Sequence, residues 1–176
     1  AANPVPQVTG VEELPGKSNY FLGKDPRKWR TNVPTYGKVK YAGVYPGVDL
    51  VYYGNQGQLE YDFIVAPGAN PRAVALSIEG AKRLNVDSQG DLVVDMSGEV
   101  VRFHKPAVYQ PHDSRSEIQN QKLKIDGRYV LQGQNIGFEV AAYDTSKPLI
   151  IDPVLSYSTY LGGSGDDISG FLGLDS

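Results

Sequence analysis

The stretch Asp49–Val65, DLVYYGNQGQLEYDFIV, decides the fold class of this chain. It contains two tyrosine-rich runs on either side of a glycine-containing turn. In the second run, bulky residues alternate with carboxylates, in the order Leu59, Glu60, Tyr61, Asp62 and Phe63. Such alternation is the period of a half-buried β-strand. The stretch therefore predicts a β-hairpin, in which Gly54, Asn55 and Gly57 supply the left-handed backbone of the turn.

The rest of the chain repeats this pattern of short apolar segments separated by turn residues. Its 20 glycines and 12 prolines are spread along the 176 residues. We predict an all-β fold, an antiparallel β-sandwich-like domain with short hairpins. The predicted strands are 39–41, 48–53, 58–65, 74–79, 83–86, 92–95, 100–104, 107–110, 122–125, 128–132, 137–143 and 149–151. A single helical turn is predicted to start near Asn70, because asparagine is a favoured N-cap residue.

Composition excludes several classes of function. The chain has no cysteine, so disulfides, thiolate nucleophiles and cysteine-ligated metals are absent. The net charge of −3 argues against nucleic acid as a partner. No apolar run is long enough to cross a bilayer, so membrane insertion is not expected. A basic cluster formed by Lys24, Arg27, Lys28 and Arg30 is interpreted as a solvated loop.

Catalytic patterns are weak, and we expect no enzymatic activity. The two histidines, His104 and His112, stand outside any recognisable triad motif. Glu60 and Asp62 share one face of the predicted strand, at a spacing that a glycosidase would require. The same spacing arises in any strand with a polar outer face, so the pair favours an ordinary solvated surface.

Two binding sites are nevertheless suggested. Trp29, together with Tyr36, Tyr41 and Tyr45, is a candidate sugar-stacking platform. Asp166 and Asp167, in the turn GGSGDD, are candidate ligands for calcium, which prefers oxygen donors. Calcium is the one cofactor that we consider, and a plain acidic turn is the alternative.

Three long segments resemble one family. LPGKSNYFLGKDPRKWRTNVPTYGKVKYAGVYPGVDLVYYGNQGQLEYDFIVAPGANP, GDLVVDMSGEVVRFHKPAVYQ and GFEVAAYDTSKPLIIDPVLSYSTYLGGSGDD resemble the N-terminal β domain of bacterial proteins that carry SBBP repeats, which are of the β-propeller type. The resemblance implies that residues 1–155 form the all-β domain and that residues 156–176 begin the first, partial β-propeller-type repeat. It also implies that part of the domain precedes Ala1 in the family.

This resemblance implies a non-catalytic structural or adhesive module, extracellular or on the bacterial cell surface, which caps or presents the repeat array. The expected partners are the downstream repeats of the same polypeptide. Two alternatives stay open. One is a carbohydrate-binding module that uses Trp29 and the nearby tyrosines to bind glycans. The other is a self-assembling filament subunit, in which other copies of the chain exchange strands through open sheet edges.

Overall fold

Three antiparallel sheets make up the protein in the computed structural model, which describes residues 2–55, 58–96, 99–111 and 122–156. The strands are β1 (Gln7–Tyr20), β2 (Arg30–Tyr45), β3 (Val48–Asn55), β4 (Gln58–Val65), β5 (Arg83–Val86), β6 (Leu92–Met96), β7 (Glu99–Phe103), β8 (Ala107–Pro111), β9 (Lys122–Ile125), β10 (Gly127–Gln132), β11 (Asn135–Val140), β12 (Leu149–Asp152) and β13 (Leu155–Ser156). Two 3-10 helices cover Pro26–Lys28 and Pro71–Ala73.

The large sheet has seven strands in the order β1-β2-β3-β4-β12-β8-β9. A four-stranded sheet has the order β13-β7-β6-β5, and β10 pairs with β11. The all-β, antiparallel prediction is therefore confirmed. The predicted hairpin is also confirmed: β3 and β4 pair from Val48 opposite Val65 to Asn55 opposite Gln58. The helical turn near Asn70 is confirmed as well, because the Asn70 side chain accepts a hydrogen bond from the N–H of Arg72.

Two local predictions are wrong, and one strand was not predicted. Residues 74–79 form no strand and contribute only one isolated bridge, between Leu76 and Ile136. Gly54 and Asn55 are strand residues without the left-handed φ that was predicted, and Gly57 lies outside the described residues. Strand β1 was not predicted, because QVTGVEELPGKSNY has neither clear alternation nor β-branched enrichment.

The core lies between the inner face of the large sheet and the two smaller sheets. Strand β12 is its centre, because it inserts between β4 and β8 and so joins the β1–β4 part of the large sheet to β8 and β9. Leu149 and Ile151 of β12 are fully buried. After the buried Pro153, the chain crosses to the four-stranded sheet, where β13 pairs with β7. One short segment therefore connects both layers.

A long ribbon extends from this body. Strand β2 pairs with β3 only from Lys38 onward, so residues 30–37 pair with β1 alone. We call residues 13–37 the arm. At about 3.3 Å per residue, the arm reaches roughly 25 Å beyond Lys38, the first residue of β2 that pairs with β3. All of its residues are exposed or half-buried.

Candidate functional site

An aromatic cleft between the sheets is the candidate binding site. It has a volume of about 470 Å³, which lies in the range of small-molecule sites. Its walls come from the inner face of the large sheet, from the 76–78 segment and from the smaller sheets. The main lining side chains are Tyr45, Leu50, Tyr52, Tyr61, Phe63, Ile78, Phe103 and Tyr129.

A row of six aromatic rings runs along the cleft, because core-facing positions of β2, β3 and β4 in the large sheet and of the β10–β11 hairpin carry them. Consecutive ring centroids are 5.5–5.9 Å apart, the spacing of favourable edge-to-face and tilted pairs. The row is Tyr41, Tyr52, Tyr61, Phe63, Phe138 and Tyr129. Burial raises the pKa of Tyr61 to about 12, so its hydroxyl stays neutral at physiological pH.

Tyr129 at the inner end of the row has an unusual environment. Its side chain is buried, and its hydroxyl has no hydrogen-bond partner among the described residues. A buried hydroxyl without a partner costs free energy. Burial also raises the pKa of Tyr129, which keeps it a neutral donor.

The four residues of the predicted sugar platform do not form one surface. Tyr45 belongs to the core, and its hydroxyl donates a hydrogen bond of 2.6 Å to the carbonyl of Ala75. Tyr41 lies in the aromatic row, whereas Tyr36 belongs to the arm and packs its ring over Gly10 of β1. Trp29 is at the far end of the arm, roughly 50 Å along β2 from Tyr45. Glycan binding by these residues stays a prediction.

The outer face of the large sheet carries the predicted carboxylate pair. Asp62 accepts a hydrogen bond of 3.2 Å from the Tyr53 hydroxyl, and Glu60 accepts one of 2.9 Å from Asn55. Ile151 opposes Phe63 in the ladder between β12 and β4, so the next position brings Asp152 beside Asp62. Glu60, Asp62 and Asp152 therefore lie close together on this face.

Crowding changes the protonation of these carboxylates. Burial, followed by the charge of Asp152, raises the pKa of Asp62 to about 6. Burial, followed by Glu60, also raises the pKa of Asp152. Cations lie nearby: the Lys122 ammonium is 3.9 Å from the centroid of the Tyr109 ring and lines the same groove as Asp62. This face can take up a proton near pH 6.

His104 is held by a buried carboxylate at the base of the four-stranded sheet. Its Nδ1 is 3.1 Å from Asp91, which also accepts hydrogen bonds from Arg102 (3.3 Å) and from the backbone N–H of Lys105 (2.8 Å). Asp87 in the same turn pairs with Arg102. Asp91 therefore joins a turn to the end of β7, which is a structural use of a buried carboxylate.

The remaining candidates lie outside the described residues: His112, and the predicted calcium ligands Asp166 and Asp167. Within the described ranges, no group of three or more histidine and carboxylate side chains is arranged to hold a metal ion. In the same ranges, no helix is long and apolar enough to cross a membrane.

Sequence reasoning missed most of the cleft. The alternation in β4 placed Tyr61 and Phe63 on one face, but nothing local showed which tyrosines of β3 would join them. Tyr52 does so because it is directly opposite Tyr61 in the β3–β4 register. Tyr129 and Phe138 arrive from a hairpin that follows much later in the chain.

Residues 1–154 match the family described as "Domain of unknown function (DUF7948)", and the chain belongs to this family. No curated protein and no solved structure matches the chain. Because the function of this family is unknown, belonging to it assigns no activity to the chain.

Proposed function

We propose that this member of the DUF7948 family is a non-catalytic structural module that caps and presents β-propeller-type repeats of the SBBP kind, outside a bacterial cell. The observation that carries the proposal is the path of residues 149–156. This segment is central in the large sheet at β12 and then becomes an edge strand of the four-stranded sheet at β13. A backbone hydrogen bond of 2.9 Å from the N–H of His104 to the carbonyl of Val154 holds the crossing in place.

This path suits a capping role for a physical reason. A repeat array leaves one end of its sheet uncovered, and a terminal element must cover that end. Among the described residues, strand β13 pairs with β7 on one side and with no strand on the other. The following polypeptide can therefore begin beside a strand that is already anchored to the core through Leu149, Ile151 and Pro153.

The test uses the natural polypeptide with its repeats. Ile151→Ala destabilises the module, and capping predicts that the protease resistance of the repeats then falls in parallel. Leu14→Ala, in the exposed arm, is the matched control and should leave both parts intact. Repeats that stay resistant while the module unfolds would refute the capping role.

Glycan binding is a second candidate, and the half-buried tyrosines of the aromatic row favour it. Tyr52 and Tyr61 line the cleft with both rings and hydroxyls, which is how proteins combine apolar contact with polar recognition. A glycan array should show binding that Tyr52→Ala removes while Trp29→Ala does not. Binding lost only in Trp29→Ala would place the platform on the arm instead.

Strand exchange between copies is a third candidate, because β1 is an edge strand of 14 residues. Its edge is interrupted by Pro15, by the left-handed Glu12 and by shifts in register. Such features normally discourage pairing between edges. Light scattering that shows a 19.2 kDa monomer at every concentration would exclude this candidate.

A further inference from the structure

The tip of the arm, residues Tyr20 to Arg30, exposes large apolar side chains. Phe21 is 63% exposed and Leu22 is 59% exposed, and Tyr20 and Trp29 are also exposed. Large apolar groups grouped at the end of a projection mark an interaction surface, whereas single exposed ones are ordinary.

The tip is built as a fixed shape. The Trp29 ring meets the Phe21 ring edge-on at 5.2 Å between centroids, and its Nε1 donates a hydrogen bond of 3.2 Å to the carbonyl of Gly23. Asp25 caps the 3-10 helix by accepting from the N–H of Arg27 at 3.1 Å. The same carboxylate takes two further hydrogen bonds from the Arg27 guanidinium. The two rings are therefore held in a fixed edge-to-face arrangement in the absence of a partner.

The tip is also the basic part of an acidic chain. Four cations and one carboxylate, Asp25, fall between Tyr20 and Arg30, the same eleven residues that carry the rings, which makes the tip +3. The four cations are Lys24, Arg27, Lys28 and Arg30. The whole chain is −3, so the remainder carries −6. Charge of one sign is thus concentrated where the apolar rings are exposed.

We propose that the tip docks on an anionic lipid surface. Aromatic rings and basic side chains together are the composition of interfacial anchors, in which rings enter the headgroup region and cations meet anionic lipids. The rest of the chain, which carries −6, would be repelled by such a surface. The arm keeps the body roughly 25 Å away, about three Debye lengths at physiological salt. In this docking the tip binds at the surface of the bilayer and does not cross it. The proposal does not depend on the proposed capping role.

The chain contains a single tryptophan, and it lies in the tip. Its fluorescence therefore reports the tip alone. We expect vesicles of equal parts phosphatidylglycerol and phosphatidylcholine to shift the Trp29 emission to the blue and to co-sediment with the protein. Phosphatidylcholine vesicles should do neither, and raising the salt concentration should weaken the binding.

Two variants separate the rings from the charge. Phe21→Ser with Leu22→Ser keeps Trp29 and every cation, and should abolish the blue shift. Lys24→Gln with Lys28→Gln keeps the rings and should weaken binding at least tenfold, since each cation near an anionic surface contributes about a fivefold factor. The matched controls are Val100→Ser and Lys124→Gln in the body, both at exposed positions, which should bind as the parent does.

Four results would overturn the proposal. They are equal binding to neutral vesicles, binding that survives Phe21→Ser with Leu22→Ser, equally tight binding to heparin as a soluble polyanion, and a concentration-dependent blue shift without lipid. The third would identify a polyanion site, and the fourth would identify a second copy of the chain as the partner.

Discussion

The body and the arm are made from the same kind of strand, yet different forces hold them. In the body, the β12 residues Leu149 and Ile151 are completely buried between two layers. In the arm, β1 and β2 pair through the backbone, and no second layer from the part of the chain that the structure describes covers them. Isolated two-stranded ribbons are marginal in water. Burial therefore stabilises the body, while the arm depends on its connection to the body and keeps its side chains free for contact.

Removing core volume in β12 is the largest expected effect. Ile151→Ala should lower the free energy of unfolding by about 3 kcal/mol, because it removes buried methyl groups and leaves a cavity. Urea denaturation measures the loss. Val100→Ala, at an exposed position in β7, is the control and should change stability by less than about 0.5 kcal/mol. A small effect of Ile151→Ala would show that β12 is not central to the body.

A buried amide supports the entry to β12 and gives the next largest effect. Gln110 is 1% exposed, and its side chain both donates to the carbonyl of Asp144 (2.8 Å) and accepts from the Asp144 N–H (3.1 Å). Gln110→Leu should cost about 2 kcal/mol, since it leaves buried backbone groups unpaired. Thermal unfolding tests this. An unchanged melting temperature would mean that the 144–148 loop satisfies those groups without Gln110.

The stability of the body should depend on pH because of Asp62 on the outer face of the large sheet. The pKa of Asp62 is raised from 3.8 to about 6 in the folded state. Folded Asp62 therefore keeps its proton between these values, where the unfolded chain has released it, and stability falls as the pH rises through that window. Asp62→Asn should remove this fall. The full shift corresponds to roughly 3 kcal/mol, but Asp62 is only half-buried and solvent screens part of it, so the free energy of unfolding at pH 7 should increase by about 1 kcal/mol.

Asp49 on the same face is the matched control with the opposite sign. Burial alone would raise its pKa, but the hydrogen bonds from Lys40 and from the N–H of Gly43, with the charge of Lys40, outweigh burial and lower it. Asp49→Asn should therefore reduce stability at neutral pH, and its effect should fade as the pH falls from the ordinary pKa of aspartate to the lowered pKa of the folded state. Urea titrations at several pH values compare the two variants. If both destabilise the protein at pH 7, the assignment for Asp62 is wrong.

The arm should show the smallest effect on stability. Phe21→Ala with Trp29→Ala removes both rings of the tip and should change the free energy of unfolding by less than about 0.5 kcal/mol, as is usual for exposed positions. Urea denaturation followed by circular dichroism measures this without tryptophan. A loss of about 2 kcal/mol would show that the tip packs against the body. It would contradict the conclusion that the side chains of the arm contribute little to stability.

Prediction from sequence worked where the pattern was local. Alternation in β4 predicted the hairpin with β3, and Asn70 before Pro71 predicted a capped turn. It failed at β1, whose residues are polar and exposed and whose strand form comes from pairing with β2. It also failed at 74–79, where apolar residues face the core with only one bridge to Ile136. For the site, the sequence supplied Tyr41 and Tyr45 but could not separate the core ring of Tyr45 from the exposed ring of Trp29.

The sequence by itself determined the all-β class, the hairpins and the faces of individual strands, because side-chain alternation along a strand is set by backbone geometry. Only the tertiary structure decided that LIID enters between β4 and β8, and that tyrosines from separate strands form one row. It also placed Trp29 on a basic tip far from the other predicted ligands. These outcomes depend on pairings between residues distant in the chain, which minimise exposed apolar surface and unpaired backbone over the whole molecule, and no local pattern encodes them.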